Sequence, residues 1–232
     1  TYTATSSSTQ HHPMPVPRGK VIGGSSAVNG TVFIRGIPED YNNWASEGNT
    51  EWSFAKVLPY FNKLETDLDF DGDFHGKDGP IPVRRFKESD WCPSMRAFYK
   101  AARSLGHPHE EDMNHPETSG VGPRPLNNIN GVRLSTAITH LNPIRHRLNL
   151  TIKADALVKK ILFNRNRAIG LEVESSGELF RIEGDEIILS AGAIESPHLL
   201  LLSGIGPSQD LERYDIPVIH QLPGVGENLR DH

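Results

Sequence analysis

Apolar positions recur at helical spacing in one part of the first half of the chain. Within residues 53–64, four apolar side chains that are three or four positions apart fall on one helical face. These side chains are Phe54, Leu58, Phe61 and Leu64. A Pro-Glu-Asp-Tyr run beginning at Pro38 is typical of a helix start, so helices are predicted within residues 38–66. A further helix is predicted from Ser94 to Leu105.

The pattern changes from helical to β-like after residue 150. Three segments rich in apolar and β-branched residues follow one another and are separated by short polar turns. They are Thr151–Phe163, Ala168–Glu174 and Leu179–Leu189. Because the turns contain Asn, Ser and Gly, this order predicts an antiparallel meander. An earlier short strand is predicted at Ile81–Phe86.

Stretches rich in polar residues, proline and glycine interrupt these elements. Residues 1–17 and the acidic segment 67–80 are predicted to be loops. Residues 106–131 form a long connection rich in His, Pro, Asn and Gly, and such a connection in a compact domain is usually functional. A short apolar piece, helical or extended, is predicted at Ala27–Ile34, and a short helix at Ser135–His140.

The composition is that of a globular chain rather than a disordered or fibrous one. The 232 residues are 36% hydrophobic and carry a net charge of −5, which fits one large domain or two small ones. The acidic balance argues against general nucleic-acid binding. The single cysteine, Cys92, cannot form an internal disulfide, and no apolar run approaches the ~18 residues of a membrane span. No signal peptide is visible, so a soluble protein in a reducing, cytoplasmic compartment is expected.

The segment after the predicted meander combines a strand, a tight turn of small residues and a helix. Ser196 is predicted to be the N-cap, Pro197 the first helical residue, and Gly204 the left-handed residue that ends the helix. Backbone N–H groups at such a helix start suit a phosphate or an electron-rich cofactor. An ordinary strand-to-helix turn accounts for the same residues.

A second candidate stretch is rich in glycine and serine and lies near the start of the chain. It reads Arg-Gly-Lys-Val-Ile-Gly-Gly-Ser-Ser-Ala-Val-Asn-Gly from Arg18 to Gly30. Adjacent glycines allow the backbone to approach a ligand closely, and serine hydroxyls can donate hydrogen bonds. Taken alone, this composition is equally typical of an ordinary loop.

Together the two stretches resemble the signatures of the glucose–methanol–choline (GMC) oxidoreductases, a family of flavoprotein alcohol oxidases and dehydrogenases. The first resembles Arg-Gly-Lys-x-x-Gly-Gly-Ser-Ser-x-x-Asn, and the second resembles Gly-Ala-x-x-Ser-Pro-x-x-Leu-Leu-x-x-Ser-Gly-Ile-Gly. Further matches begin at Phe33, Tyr41, Phe74 and Leu222. The order and spacing agree from about Pro17 onward, so the resemblance covers nearly the whole chain.

The resemblance implies a mixed α/β fold with two domains, both incomplete in this chain. One is an FAD-binding, Rossmann-like domain, and the other is a substrate domain built on an antiparallel sheet. Residues 1–66 are expected to belong to the FAD-binding domain and its covering segment, and residues 67–150 mainly to the substrate domain. Residues 151–232 are expected to return to the FAD-binding domain, so the domains are discontinuous.

The resemblance also implies which residues bind FAD. Five residues match the loop that wraps the flavin, largely through backbone contacts: Gly24, Ser25, Asn29, Gly30 and Val32. Val158 matches a strand position at the adenine end of FAD, and Ala191 and Gly192 match the turn beside the cofactor. Some family members tie the flavin covalently to a histidine of the first signature. Here that position is Val28, so non-covalent FAD is expected.

Two parts of the family pattern are missing from the sequence. The Gly-x-Gly-x-x-Gly unit that seats the pyrophosphate is expected upstream of Thr1, and the catalytic histidine with its His or Asn partner is expected after His232. The chain is therefore expected to be an internal fragment without a catalytic residue, binding FAD weakly or not at all by itself.

The implied reaction is oxidation of the CH–OH group of a small alcohol to a carbonyl, with hydride passing to flavin N5. The expected partner is thus a small-molecule alcohol, with no nucleic acid and no metal. Two alternatives stay open, since the catalytic residues are missing: a non-catalytic module that binds a ligand or partner, and an FAD-containing lyase of the same family.

Histidines and arginines outside the signatures are expected to be structural or solvated. Three histidines share one loop with the acidic residues 110–112; they are His107, His109 and His115. Their spacing fits no fixed element, so a solvated loop is favoured over a metal site. His75 is predicted to be structural, and the Arg84-Arg85 pair is predicted to be solvated.

Overall fold

The computed structural model describes residues 1–4 and 13–229. The polar run Thr5–Thr9 therefore lies outside the described residues. The chain divides into two compact units, Thr1–Leu150 and Thr151–His232. No helix in the described ranges is long and apolar enough to cross a membrane.

Within its described residues, the first unit has three α-helices and three pairs of short strands. The helices are α1 (Pro38–Ser46), α2 (Phe54–Leu64) and α3 (Pro93–Ser104). The strands are β1 (Tyr2–Ala4), β2 (Met14–Val16), β3 (Glu65–Asp67), β4 (Ile81–Val83), β5 (Asn128–Ile129) and β6 (Val132–Arg133). The pairs β1–β2 and β5–β6 are antiparallel, and β3–β4 is parallel.

Short helical turns complete this unit. In its described part, four of these are 3-10 helices: Gly24–Ala27, Thr50–Trp52, Glu88–Asp90 and Asn142–Ile144. A π-helix at Ala137–Leu141 occupies most of the helix predicted at Ser135–His140. The apolar piece predicted at Ala27–Ile34 forms no regular helix or strand beyond residue 27, and only Val32 makes an isolated bridge, to Leu126.

Helices α1 and α2 pack together through aromatic rings, as the apolar stripe of α2 predicts. The ring of Tyr41 lies 6.1 Å from that of Phe54 and 5.6 Å from that of Phe61, measured between centroids. Val57 is the buried residue of α2, whereas Leu64, the last member of the predicted stripe, is exposed. The helices predicted within residues 38–66 and at Ser94–Leu105 are confirmed as α1, α2 and α3.

The prediction of a loop over residues 1–17 is wrong for its described part. β1 pairs with β2, and Tyr2 lies opposite Val16. Aromatic and β-branched residues favour extended backbone, and Pro15 is tolerated because each strand of a two-stranded ribbon keeps one free edge. The pair β5–β6 likewise interrupts the connection that was expected to be irregular.

Strands β3 and β4 lie side by side in the core of the first unit. Their register places Glu65 opposite Ile81, and Val83 is fully buried. The connection between them contains Gly79, where a Cβ would lie 2.3 Å from the Glu65 nitrogen, so no larger residue fits. The strand predicted at Ile81–Phe86 is confirmed in its first half.

Within its described residues, the second unit contains a three-stranded antiparallel sheet, two helices and one further pair of strands. The sheet has the order β7 (Ala156–Asn164), β8 (Arg167–Ser175), β9 (Glu178–Glu183). The remaining elements are α4 (Gly192–Leu202), β10 (Ile205–Gly206), α5 (Ser208–Arg213) and β11 (His220–Gln221). The predicted meander is confirmed.

Helix α4 is joined to β7 by a buried hydroxyl. The Ile161 N–H donates to Ser203 Oγ at 2.8 Å, and that hydroxyl donates to the Leu199 carbonyl at 2.6 Å. The next residue, Gly204, ends the helix at φ +83°, which confirms its predicted left-handed conformation. A Cβ at this position would lie 2.4 Å from the Pro217 carbonyl oxygen.

The predicted start of α4 is wrong. The helix begins at Gly192 rather than after Ser196, and Pro197 lies inside it. Ser196 still satisfies a backbone donor of the first turn, because its Oγ accepts a hydrogen bond from the Ala191 N–H at 3.0 Å. The expected strand before the turn ends early, at Glu183, since no described segment pairs with residues 185–190.

Candidate functional site

The glycine- and serine-rich run folds into a tight loop that only glycine permits at several positions. Gly23 and Gly24 have φ values of +94° and +54° and lead into the short helix Gly24–Ala27. At Gly19 a Cβ would lie 2.2 Å from the Gly24 carbonyl oxygen, so the two ends of the turn touch backbone to backbone. The sequence therefore specifies a compact backbone turn here.

Four of the predicted FAD-binding residues shape the end of this loop. Ser25 Oγ accepts a hydrogen bond from the Gly19 N–H at 3.2 Å. Asn29 Oδ1 accepts one from the Thr31 N–H at 3.1 Å, which holds buried Thr31 at φ +61°. Among residues 1–4 and 13–229, none accepts a hydrogen bond from the backbone N–H of Gly30 or Val32.

The loop surface also carries exposed apolar side chains. Val28 and Val32 are 53% and 41% exposed, and Ile34 is 51% exposed. A backbone turn with two N–H donors that no described residue accepts from, beside apolar side chains, suits a ligand that has both hydrogen-bond acceptors and a flat apolar ring. These observations fit the flavin end of FAD.

Residues 127–137, a segment of the first unit far from the loop in sequence, contact the loop and bind it through hydrogen bonds. The Thr136 N–H donates to Ser26 Oγ at 3.0 Å, and the Asn127 N–H donates to the Thr31 carbonyl at 2.9 Å. Gly23 also packs against this segment, because a Cβ there would lie 3.2 Å from the Ala137 Cβ. These supporting residues lie about a hundred positions away in the sequence, so the loop motif does not reveal them.

The other predicted cofactor residues lie in the second unit. Val158 is half-buried in β7, opposite Val173, just before a β-bulge. Ala191 and Gly192 are exposed at the start of α4, and Gly192 has φ +91° with open space around it. The turn thus leaves the N-terminal end of α4 accessible, as an anion-binding helix start requires.

A cluster of buried ion pairs fills the centre of the first unit, and the sequence analysis did not predict it. The cluster contains Arg35, Glu65, Asp67, His75, Arg85 and Asp112. Arg35 NH2 lies 2.6 Å from Glu65 Oε1, and Arg85 NH1 lies 2.6 Å from Asp67 Oδ1. Glu65 and Asp67 point the same way because side chains two residues apart in a strand share a face.

His75 joins the carboxylates of this cluster through both ring nitrogens. Nε2 lies 2.8 Å from Asp112 Oδ2, and Nδ1 lies 3.1 Å from Asp67 Oδ2. Burial alone would lower the pKa of His75, but the carboxylates of Asp112, Asp67 and Glu65 around its ring outweigh burial and raise the pKa to about 10. His75 is therefore an imidazolium at neutral pH.

The carboxylates show the opposite shift. Burial alone would raise the pKa of Asp67, but hydrogen bonds from His75 and Arg85 hold it well below its usual range. Asp112 is affected in the same way, since His75 and the Asn114 N–H also bind it. Three carboxylates thus face three cations, and the cluster carries no net charge.

This cluster corrects one prediction and bears on another. Arg85 is only 7% exposed, so the expectation that Arg84 and Arg85 are both solvated is wrong for Arg85. Its charge is buried because Asp67 and Asp112 neutralise it. The structural role predicted for His75 agrees with its packing.

Metal-ligating atoms come together at one place in the described part of the chain. Glu65, Asp67 and His75 each offer a ligand atom within 4.8 Å of the others. Arginine nitrogens already bind both carboxylates, which opposes cation binding. Two of the loop histidines have other neighbours: His109 Nδ1 lies 3.0 Å from the Tyr99 hydroxyl, and His115 packs edge-on against Phe74.

The fold and loop geometry agree with the result of comparing the sequence with known families. The model of the GMC oxidoreductase family matches residues 2–232. The chain therefore belongs to the GMC oxidoreductases, a family that uses FAD.

Relatives of known name lie within the same family. Mouse (Mus musculus) mitochondrial choline dehydrogenase is 45% identical over 217 residues, which are 93% of this chain and 36% of that protein. Oxygen-dependent choline dehydrogenase of Photobacterium profundum is 40% identical over 93% of this chain and 38% of its own length. The crystal structure of pyridoxine 4-oxidase from Mesorbium loti has a TM-score of 0.84 at 36% identity, covering 89% of this chain and 41% of the other. The chain thus spans about two fifths of the length of these relatives.

Proposed function

We propose that the protein carrying this chain is an FAD-dependent oxidoreductase that oxidises the CH–OH group of a small alcohol to a carbonyl. The observation that carries the proposal is the family match over residues 2–232; a glycine loop with two N–H groups that bind no described residue supports it. Choline is the first substrate to test, since two of the relatives are named choline dehydrogenases.

The loop residues are proposed to hold the flavin end of FAD. The N–H groups of Gly30 and Val32 would donate to acceptors on the cofactor, and the side chains of Val28 and Val32 would contact its ring. Gly24 and Ser25 keep the turn tight enough for the backbone to approach. When bound, FAD supplies the two-electron acceptor for hydride transfer.

The second unit is proposed to contribute the remaining cofactor contacts. Val158 would contact the adenine end, and Ala191 and Gly192 would border the cofactor at the start of α4. The helix start offers the positive end of the helix dipole, which favours an anionic group. Residues 1–66 and 151–232 would then form the FAD-binding domain, and residues 67–150 mainly the substrate domain.

No residue in the described part of the chain is proposed as the base that removes the hydroxyl proton. His75 is unsuited to that role because it is already protonated and both of its nitrogens face carboxylates. We propose that the flavin is not covalently attached, since Val28 offers no nucleophile at the position where other family members have histidine.

We also propose that the protein works in the cytoplasm, because its single cysteine is a free, exposed thiol. Fractionation of the native cells tests this location. Recovery of the protein in an organelle would contradict it.

The test of function is a flavin-binding and reduction experiment on the protein produced from its complete reading frame. After incubation with FAD and removal of unbound cofactor, a visible flavin spectrum is expected, and acid precipitation is expected to release all of the flavin. Anaerobic addition of choline or another small alcohol is then expected to bleach the flavin band. A protein without flavin would contradict the proposal, and flavin retained in the precipitate would contradict non-covalent binding.

Flavin binding without reduction by a range of alcohols would instead favour a lyase or a non-catalytic module. The same measurement on residues 1–232 alone tests a separate expectation, namely that the isolated chain holds FAD weakly or not at all. Stoichiometric flavin on that polypeptide would contradict this expectation.

A further inference from the structure

Arg133 contacts the cofactor loop from a position more than a hundred residues further along the chain. Its Nε donates a hydrogen bond to the Asn29 carbonyl at 2.7 Å, and its NH1 donates one to the Ala27 carbonyl at 3.1 Å. One planar guanidinium therefore bridges two carbonyls on the same side of the loop. Hydrogen bonds from a charged donor are stronger than those between neutral groups.

The backbone around Arg133 fixes where its side chain starts. Arg133 ends β6, which pairs with β5 across the turn Asn130-Gly131. These two turn residues have φ values of +51° and +79°, as in the tight turns that join two strands of a hairpin. Asn127 strengthens the base of the hairpin, because it accepts from the Leu134 N–H at 3.1 Å and its side chain donates to the Leu134 carbonyl at 3.0 Å.

The geometry of the peptide bond gives this contact a consequence for the cofactor loop. In a trans peptide the C=O and the following N–H point in opposite directions. Arg133 binds the Asn29 carbonyl, so the N–H of Gly30 points away from Arg133. That N–H is one of the two loop donors without an acceptor among the described residues. A charged donor on the carbonyl also polarises the peptide and strengthens its N–H as a donor.

We propose that Arg133 is a positioning residue that turns the Asn29–Gly30 peptide so that its N–H faces the flavin. The proposal rests on the proposed FAD-binding function of this loop. Without Arg133, the peptide can rotate, because glycine at position 30 allows many backbone conformations. FAD binding would then have to order the loop, which costs free energy, so the affinity for FAD would fall.

The test compares three variants of the protein produced from its complete reading frame: Arg133→Ala, Arg133→Lys and the control Arg147→Ala. Arg147 is exposed in the same unit, and its side chain makes no hydrogen bond to another described residue. FAD affinity is measured by titration, stability by thermal unfolding of the flavin-free protein, and loop order by hydrogen exchange of the peptide covering residues 24–33.

Arg133→Ala is expected to bind FAD about ten-fold more weakly than the natural protein, equivalent to about 1.4 kcal/mol. Arg133→Lys should recover part of this loss, since an ammonium group can reach only one carbonyl, and Arg147→Ala should change nothing. In flavin-free Arg133→Ala, the N–H groups of Val28 and Asn29, which bind the Ser25 carbonyl, are expected to exchange faster while the unfolding temperature stays unchanged.

Unchanged FAD affinity in Arg133→Ala would overturn the inference and leave the proposed function intact. A fall in affinity matched by an equal loss of flavin-free stability would also overturn it, because Arg133 would then be merely structural. Absence of FAD binding by the natural protein would overturn the proposed function instead. In that case the exchange rates of Val28 and Asn29 still decide whether Arg133 orders the loop.

Discussion

Replacing Asp67 by asparagine removes one negative charge from the buried cluster while keeping the size of the side chain. Asp67 is 2% exposed and binds Arg85 NH1 through both of its oxygens. It also lies 3.1 Å from His75 Nδ1 and accepts from the backbone N–H groups of Asp69 and Phe70 at 3.0 Å each. Asparagine can keep the two backbone contacts through its carbonyl oxygen.

The loss of the charge is therefore expected to dominate the effect of Asp67→Asn. Three cations would then face only two carboxylates in a water-poor site. Removing one partner of a buried ion pair costs about 3–5 kcal/mol, because the remaining charge is left uncompensated. We expect a loss near the lower end, about 3 kcal/mol, since Asp112 still binds both Arg85 and His75.

The free energy of unfolding is measured by urea denaturation of the flavin-free protein, followed by tryptophan fluorescence. Asp71→Asn is the matched control, because it makes the same chemical change four residues further on, in the loop after β3, where Asp71 is exposed and pairs with exposed Lys77. Its expected cost is below about 0.5 kcal/mol. An equal loss of unfolding free energy in the two variants would refute the reasoning, because the burial and pairing of the Asp67 charge would then make no difference to stability.

Three further predictions concern pH and single substitutions. The folded-state pKa of His75 is raised from 6.5 to about 10, so its contribution to stability is full below pH 6.5 and is lost as the pH rises towards 10, by up to about 1.4 kcal/mol per pH unit. Urea titrations at several pH values should therefore show a shallower fall of stability with pH in His75→Gln than in the natural protein. Parallel curves for the two proteins would disprove the role of His75. Gly204→Ala should lower the unfolding temperature more than Gly177→Ala, because both glycines have positive φ but only at Gly204 would the new Cβ clash with the backbone oxygen of another residue. Equal shifts in the two variants would mean that only the strain of positive φ, about 1–2 kcal/mol, affects stability. Ser203→Ala should cost about 1–3 kcal/mol by leaving the buried Ile161 N–H without an acceptor, and an unchanged urea midpoint would argue that water replaces the hydroxyl.

The elements that could be predicted from the sequence are those whose cause is local. The helix α2 follows from apolar residues three and four positions apart, and the meander β7–β9 follows from turn residues between β-rich segments. The start of α4 could not be predicted, because Ser196 accepts a hydrogen bond from the Ala191 N–H, as an N-cap side chain accepts one from the backbone, although Ser196 lies inside the helix. The strand β1 was missed because its partner lies beyond a polar run.

The candidate site was predictable only where a contiguous motif carries it. The loop from Gly24 to Val32 is recognisable because its glycines and serines act through their own backbone. The ion cluster joins residues 8 to 37 positions apart, such as Arg35 with Glu65, and no local period marks such pairs. Arg133 lies further still from the loop that it contacts, so only the folded chain reveals it.

The buried ion cluster has a consequence for how the first unit folds. Its six members come from five separate stretches of chain, and each charge is costly in the interior until its partners arrive. A partly formed cluster would leave unpaired charges buried away from water, so folding intermediates that contain only part of the cluster are disfavoured. The cluster therefore couples the segments around residues 35, 65, 75, 85 and 112 into one cooperative block that forms or melts as a whole.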